Sequence, residues 1–272
     1  MKEIKEQAKV KKDINRVVQI FKASDGDVRP HIILTGPSGC GKSHIVQELA
    51  EASDLGFLEI NAAQLTKEGT SGNSLSKALS PLAQTSGVLT LCFVDEFDKL
   101  FISGNTNSSL AHETTNGVQN EFLRILESKS TSVFGDYGKY IDVPIDQVLF
   151  IFAGAFNGED ELTVDRLREF GIKTEFLGRV GMVYNLEKLC IESMRIALDQ
   201  SGLLEKYLEL FPKIKKEKVC KDVMQVVERE HEKNTLGIRL INTLLNQYFI
   251  NGGKLIEEET KKVSFHTTLD FN

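Results

Sequence analysis

The chain has 272 residues, 41% hydrophobic and 26% charged, with a net charge of −6, which suits one large domain or two modest ones and disfavours general adhesion to nucleic acid. No run of about eighteen apolar residues is present, so no membrane span is expected. The charged N-terminus lacks a signal-peptide core, and the four scattered cysteines (Cys40, Cys92, Cys190, Cys220) form no C-x-x-C pair; these features predict a cytoplasmic setting without a zinc site or disulfide frame.

In chain order, residues 1–22 place Ile4, Ala8, Ile14, Val17, Val18 and Phe21 at helical spacing among lysines and glutamates. A loop, Ser24 to Pro30, leads to the apolar run Ile32 to Leu34, which reads as a buried strand. The next strand is expected at Gly56–Asn61, followed by a glycine-dotted connection from Thr66 to Asn73 and a helix near 74–83. Val88 to Val94 is almost purely apolar and reads as a strand buried on both faces. Ser103 to Asn116 is rich in Ser, Thr, Asn and Gly and reads as a flexible loop, with helical spacing resuming from Gly117 to Glu127. Ser128 to Lys139 reads as another exposed loop. Further strands are expected at Val148–Ala155 and Gly181–Leu186. Apolar strands alternating with helices predict an α/β fold with a five-stranded parallel sheet covered on both faces. Beyond Leu186 the pattern turns mainly helical, near 187–201, 216–233 and 237–250, with one late strand signal at Val263–Leu269. That change predicts a boundary between a domain over 1–186 and a smaller helical one over 187–272.

The chemistry starts after the first strand. Gly36-Pro-Ser-Gly-Cys-Gly-Lys-Ser43 fits the G-x-x-x-x-G-K-[ST] pattern at every fixed position. Gly36, Pro37, Ser38, Gly39, Cys40 and Gly41 would form a loop whose N–H groups face an anion. Lys42 would reach the β- and γ-phosphates, and the Ser43 hydroxyl would bind Mg²⁺. His44 follows at the start of a helix whose partial positive charge also favours phosphate. Asp95 and Glu96 come directly after a buried strand, where Asp95 would hold the Mg²⁺ shell and Glu96 would orient and deprotonate the attacking water. No N-K-x-D sequence is present to read guanine, so ATP is favoured over GTP.

With these residues in place, Val94-Asp-Glu-Phe-Asp-Lys-Leu100 resembles the Walker B segment of the AAA+ ATPases, most closely the ClpX/HslU group of unfoldases. Val148-Leu-Phe-Ile-Phe-Ala-Gly-Ala-Phe156 resembles the strand of that group ending in Gly-Ala-Phe. Leu167 to Val180 resembles its arginine-finger segment, which would make Arg179 the finger. Thr235-Leu-Gly-Ile-Arg-Leu240 resembles sensor 2, which would make Arg239 the sensing arginine, and Ile4-Lys-Glu-Gln-Ala8 resembles the adenine-side motif, with Ile4 and Gln7 at the nucleotide. Taken singly, either arginine would read as a surface residue; four motifs in family order favour the functional reading. Asn157 is the nearest polar candidate for sensor 1. The resemblance implies a P-loop AAA+ module with a small helical lid, ATP and Mg²⁺ as cofactors, and a self-assembled ring, usually a hexamer, with the finger contributed by a neighbour.

Three departures from the group shape the expected task. The pore-loop stretch is Gly69-Thr-Ser-Gly72, where Thr70 and Ser71 offer little area for gripping a chain. The connection after Gly154-Ala-Phe156 is too short for a peptidase-docking loop, so no ClpP-type partner is expected. With no C-x-x-C pairs, the zinc-binding N-terminal domain of ClpX is expected to be missing, which would leave the 103–116 loop or Phe134 and Tyr137 as candidate substrate contacts. The leading expectation is an ATPase ring that remodels a protein or protein–nucleic-acid complex. The alternatives are a nucleic-acid-associated loader, transposition or packaging helper, supported only by the basic run Lys213 to Lys221, and an assembly switch that threads nothing.

Overall fold

The computed structural model describes residues 4–66, 73–85, 87–101, 109–135 and 138–255, the side chains of 109–116 excepted. In chain order the strands are β1 (Ile32–Thr35), β2 (Gly56–Asn61), β3 (Leu65–Thr66), β4 (Asn73–Ser74), β5 (Thr90–Asp95), β6 (Ser130–Phe134), β7 (Tyr140–Pro144), β8 (Val148–Gly154) and β9 (Met182–Asn185). The helices are α1 (Lys5–Ala23), α2 (Lys42–Ala52), α3 (Leu75–Ala78), α4 (Ser109–Glu127), α5 (Val164–Glu169), α6 (Thr174–Arg179), α7 (Ile191–Asp199), α8 (Gly202–Leu210), α9 (Lys216–Glu230) and α10 (Ile238–Ile250).

One parallel sheet runs β2-β5-β8-β1-β9, so the five strands expected from the apolar runs form a single α/β layer. Side chains alternate between its faces, and the two faces pack differently. Ile32 and Leu34, Leu91 and Phe93, and Leu149 and Ile151 share a core with α1 and α2. Ile33, Cys92, Val94, Phe150 and Phe152 face the other way and pack against Phe122, Leu126 and Phe176. Both faces are covered, which is why the central strands carry no polar alternation.

Register determines where the loops open. Thr35 lies opposite Gly154 on one side and Asn185 on the other, and Asn61 lies opposite Asp95. The chain therefore leaves β1, β5 and β8 along one carboxyl edge, where open parallel sheets bind ligands. Thr35 Oγ1 donates to Asn185 Oδ1 at 2.5 Å, and Asn185 in turn pairs with both the N–H and the carbonyl of Leu162. This knot fastens the end of β1 to the segment after β8.

α7 to α10 and the segments joining them build a separate core of Leu189, Met194, Leu198, Val223, Leu244 and Phe249 among others, with half-buried Ile4 packed against it from the N-terminal end of the described residues. Tyr207 stacks on Phe249 with ring centroids 4.4 Å apart. No described helix is long and apolar enough to cross a membrane.

Several expected elements are corrected. The loop expected over Ser103–Asn116 is helical from Ser109 onward, because Val118, Phe122, Ile125 and Leu126 anchor the second half of α4 in the core. The exposed loop expected over Ser128–Lys139 is largely hairpin, β6 against β7. The helix near 74–83 breaks into α3 and a 3₁₀ turn at Ser80–Ala83, since Pro81 lacks the N–H that would continue it. α6 and α8 were not anticipated. The stretch Gly69–Gly72, residue Tyr137 and the strand signal at Val263–Leu269 lie outside the described residues.

Candidate nucleotide site

A cavity of ≈ 740 Å³ opens at the carboxyl edge of the sheet, between the loop after β1 and the helices α7, α8 and α10. Ser38, Gly39, Gly41, Lys42, Ser43 and His44 form its floor. The loop turns through left-handed conformations at Gly39 (φ 70°) and Gly41 (φ 98°). The space around both is already taken: a Cβ on Gly41 would lie 2.4 Å from Gln7 Nε2, and one on Gly39 would lie 2.0 Å from the Leu236 carbonyl oxygen. Only glycine permits both the conformation and the approach. Lys42 opens α2, and its ammonium donates to the carbonyls of Gly36 and Pro37 at 2.6 and 3.1 Å. Gly36, Pro37 and Cys40 are not among the lining residues. Cys40 is buried, burial pushes its thiol pKa up, and its carbonyl accepts from Gln7 Nε2 at 2.5 Å.

Asp95 and Glu96 reach the cavity from the end of β5. The Glu96 N–H donates to Asp95 Oδ1 at 2.8 Å, which turns the backbone sharply there. Glu96 has φ 54° and ψ 30°, a left-handed conformation costing about 1–2 kcal/mol for a residue with a Cβ. The next two residues hold it. Phe97 is fully buried, with its ring 4.8 Å from Phe152 and 5.2 Å from Phe176. Asp98 is 1% exposed; its Oδ2 accepts from the Phe156 N–H at 3.2 Å and meets the Lys99 ammonium at 3.6 Å. Burial and the nearby Asp95 carboxylate raise the pKa of Glu59 on the adjoining strand.

Ile4 and Gln7, at the start of α1, close one side of the cavity. Arg239, in the first turn of α10, closes another, its Nη1 donating to Ser38 Oγ at 3.2 Å. α10 reaches the loop through a backbone-to-backbone seat: the Ile238 N–H donates to Gly39 O at 3.0 Å, and Gly237 has φ 55°.

Two expected site residues stand apart. Arg179 ends α6 outside the cavity lining, its guanidinium paired with Glu127 and donating to the Glu175 carbonyl at 3.4 Å. Asn157 is exposed, in a left-handed conformation (φ 59°), and does not line the cavity; Gly154 and Ala155 do. Sequence reasoning missed Glu48, Asp98, Lys99 and the turn Gln200–Leu203, all on the lining. The turn had one legible signal: Ser201 accepts from the Leu204 N–H at 3.3 Å, as a helix-capping serine does.

The comparisons with known proteins agree with this architecture. Residues 32–176 match the model of the ATPase family associated with various cellular activities (AAA), and the chain belongs to that family. Beyond the family, it is similar to the ATP-dependent Clp protease ATP-binding subunit ClpX of Bacteroides thetaiotaomicron, at 23% identity over 94% of this chain and 73% of the relative. The protein of the same name from Porphyromonas gingivalis is 24% identical over 72% of this chain and 60% of its own length. That of Bacteroides fragilis is 24% identical over 72% and 58%.

Proposed function

We infer that the chain binds ATP with Mg²⁺ in this cavity and hydrolyses it within a ring of like subunits, to remodel a protein or protein–nucleic-acid complex. The observation that carries this reading is the convergence on one cavity of Lys42 and Ser43, Asp95 and Glu96, and Arg239. The cavity is large enough for a nucleotide. The glycine loop, with no Cβ in the way, is suited to close approach by phosphate oxygens, and the Ser43 hydroxyl and Asp95 carboxylate are the hard oxygen donors that Mg²⁺ takes. Bound there, Mg²⁺ would neutralise charge on the β- and γ-phosphates.

The protein groups divide the remaining work. Lys42 exchanges its loop carbonyls for phosphate oxygens. Glu96 accepts a proton from water as the water oxygen bonds to the γ-phosphorus. The bond from that phosphorus to the bridging oxygen breaks, and ADP leaves with the electron pair. Arg239 reports the phosphate state to α10, while Ile4 and Gln7 lie against the base side. Roles assigned to Gly36, Pro37 and Cys40 are confined to shaping the loop, and sensor 1 is left without a side chain at Asn157.

Arg179 lies outside the lining of its own cavity, which supports a role at the cavity of an adjacent copy, in a ring that we take to be a hexamer. A guanidinium supplied that way is worth about 10³–10⁵ in rate. The separate core of α7 to α10 supports a lid over 187–272 and a nucleotide domain over 1–186. The relatives are named as subunits of a protease; here only Ala155 to Thr163 separates β8 from α5, which favours action without a ClpP-type peptidase, in the cytoplasm. The nucleic-acid alternative rests on Lys213–Lys221, where Glu217 interrupts the charge and Lys216 is tied to Asp199 at 3.2 Å.

The test uses purified chain with ATP and Mg²⁺. Glu96→Gln is expected to bind ATP without turning it over, and Lys42→Ala to bind it more weakly. Turnover by Glu96→Gln equal to that of the unaltered chain would remove the water-activating role.

A further inference from the structure

The first turn of α1 links the phosphate loop to the start of α7. On one side Gln7, 7% exposed, donates to the Cys40 carbonyl and fills the space beside Gly41. On the other side the preceding residue, Glu6, reaches the start of α7. Its Oε1 accepts from the Cys190 N–H at 2.9 Å and its Oε2 accepts from Ser193 Oγ at 2.5 Å. Cys190 is the N-cap residue of α7 and makes no side-chain cap bond of its own, so a carboxylate from a distant helix serves as the cap. Burial would raise the pKa of Glu6, but the hydrogen bonds from Cys190 and Ser193 outweigh it and hold the carboxyl down at about 2.

Further along, α1 is fastened to α2, the helix that begins with Lys42. Lys11 pairs with Glu48 at 2.7 Å, Gln19 Nε2 donates to Ser53 Oγ at 3.3 Å, and Lys22 Nζ donates to Ser53 O at 2.5 Å. α1 is thus a rod bound to the phosphate-loop helix, with its first turn clamped on α7. The far end of α7 runs into the turn Gln200–Leu203, which lines the cavity.

We propose that Glu6 is a positioning residue for nucleotide binding, the strut through which a change at the phosphate loop is passed to α7 and the Gln200–Leu203 wall. The proposal deepens the nucleotide reading and rests on it. A carboxylate offers two equivalent acceptor oxygens to Cys190 and Ser193, whereas the Met side chain is of similar length and offers neither, only a weakly accepting sulfur. Glu6→Met therefore opens the clamp without removing packing volume.

The test compares the full chain, Glu6→Met and Ser193→Ala by hydrogen exchange with and without ADP and Mg²⁺, and by calorimetric ADP affinity. In the unaltered chain ADP should slow exchange in both the start of α2 and in Ile191–Asp199. In Glu6→Met the protection of α2 should persist, that of α7 should be lost, and ADP affinity should fall about fivefold or more. Ser193→Ala, which keeps the Cys190 bond, should shift both readings the same way by less, and decides the matter if Glu6→Met does not fold. Unchanged affinity together with unchanged protection of α7 in the variants would overturn the strut. Absence of ADP binding by the unaltered chain would overturn the nucleotide reading itself, and the strut with it.

Discussion

Replacing Gly237 with alanine tests how the helical part is seated on the phosphate loop. Gly237 has φ 55° and ψ −133°, a conformation that costs a residue with a Cβ about 1–3 kcal/mol. The added atom would also stand 2.5 Å from Gly39 O and 2.6 Å from Gly39 C, about 1 Å inside ordinary contact. Neither neighbour is the end of a flexible side chain, so the first turn of α10 must lift. Lifting breaks the Ile238-to-Gly39 hydrogen bond and carries Arg239 away from Ser38. α10 itself should survive, because Leu240, Ile241, Leu244, Leu245, Tyr248 and Phe249 remain in their core. If nucleotide binding requires the seated form, about 1–3 kcal/mol of reseating cost appears as an ADP affinity about 5- to 150-fold weaker. Calorimetric titration measures it, with far-UV circular dichroism to confirm that the helices persist. Gly181→Ala, where a Cβ meets nothing within 4 Å, is the control. Affinity within about twofold of the unaltered chain in Gly237→Ala would refute the seat.

Two further outcomes are expected from buried groups. His31 is 4% exposed and accepts the Phe150 N–H through Nδ1 at 3.1 Å; burial first, and the nearby Arg29 second, lower its pKa from 6.5 to about 3. The folded state thus holds the neutral ring, and the stability it confers is complete above pH 6.5 and is lost as pH falls toward 3. At pH 5 the loss is about 2 kcal/mol, read from urea unfolding at several pH values; His31→Gln should flatten that slope, and an equal slope would show that other groups carry it. Phe97→Ala should cost about 3–5 kcal/mol in chemical unfolding, because the ring is fully buried among Phe101, Phe122, Phe152 and Phe176. A loss under about 1 kcal/mol would mean that the cluster closes over the gap.

The sheet was legible because a strand covered on both faces has little room for polar residues, as in Val148 to Gly154. The glycine loop was legible because close approach to phosphate leaves few residue choices. The hairpin β6–β7 escaped notice because it turns only Val133 and Val143 fully inward and leaves Phe134, Tyr140 and Ile141 exposed, so no apolar alternation marks it. The first turns of α4 escaped because Ser, Thr and Asn look like loop when the anchoring side chains lie further on. Asn157 was assigned from chain proximity to the end of β8, but the 3₁₀ turn after Ala155 carries it to the surface. Glu6, Asp98 and Gly237 left no sequence signal of their own, since each acts through a contact more than thirty residues away.

The central claim is that hydrolysis is shared, with Lys42 and Glu96 from one copy and Arg179 from the next. Arg179→Ala keeps the cavity and loses the guanidinium, while Glu96→Gln keeps the guanidinium and loses the base. Each variant alone should be nearly inactive. Assemblies from the two variants expressed together should hydrolyse ATP, because the Arg179→Ala cavity then meets an intact Arg179 from its neighbour. Activity no greater than the sum of the separate variants, in assemblies shown to contain both, would contradict the claim.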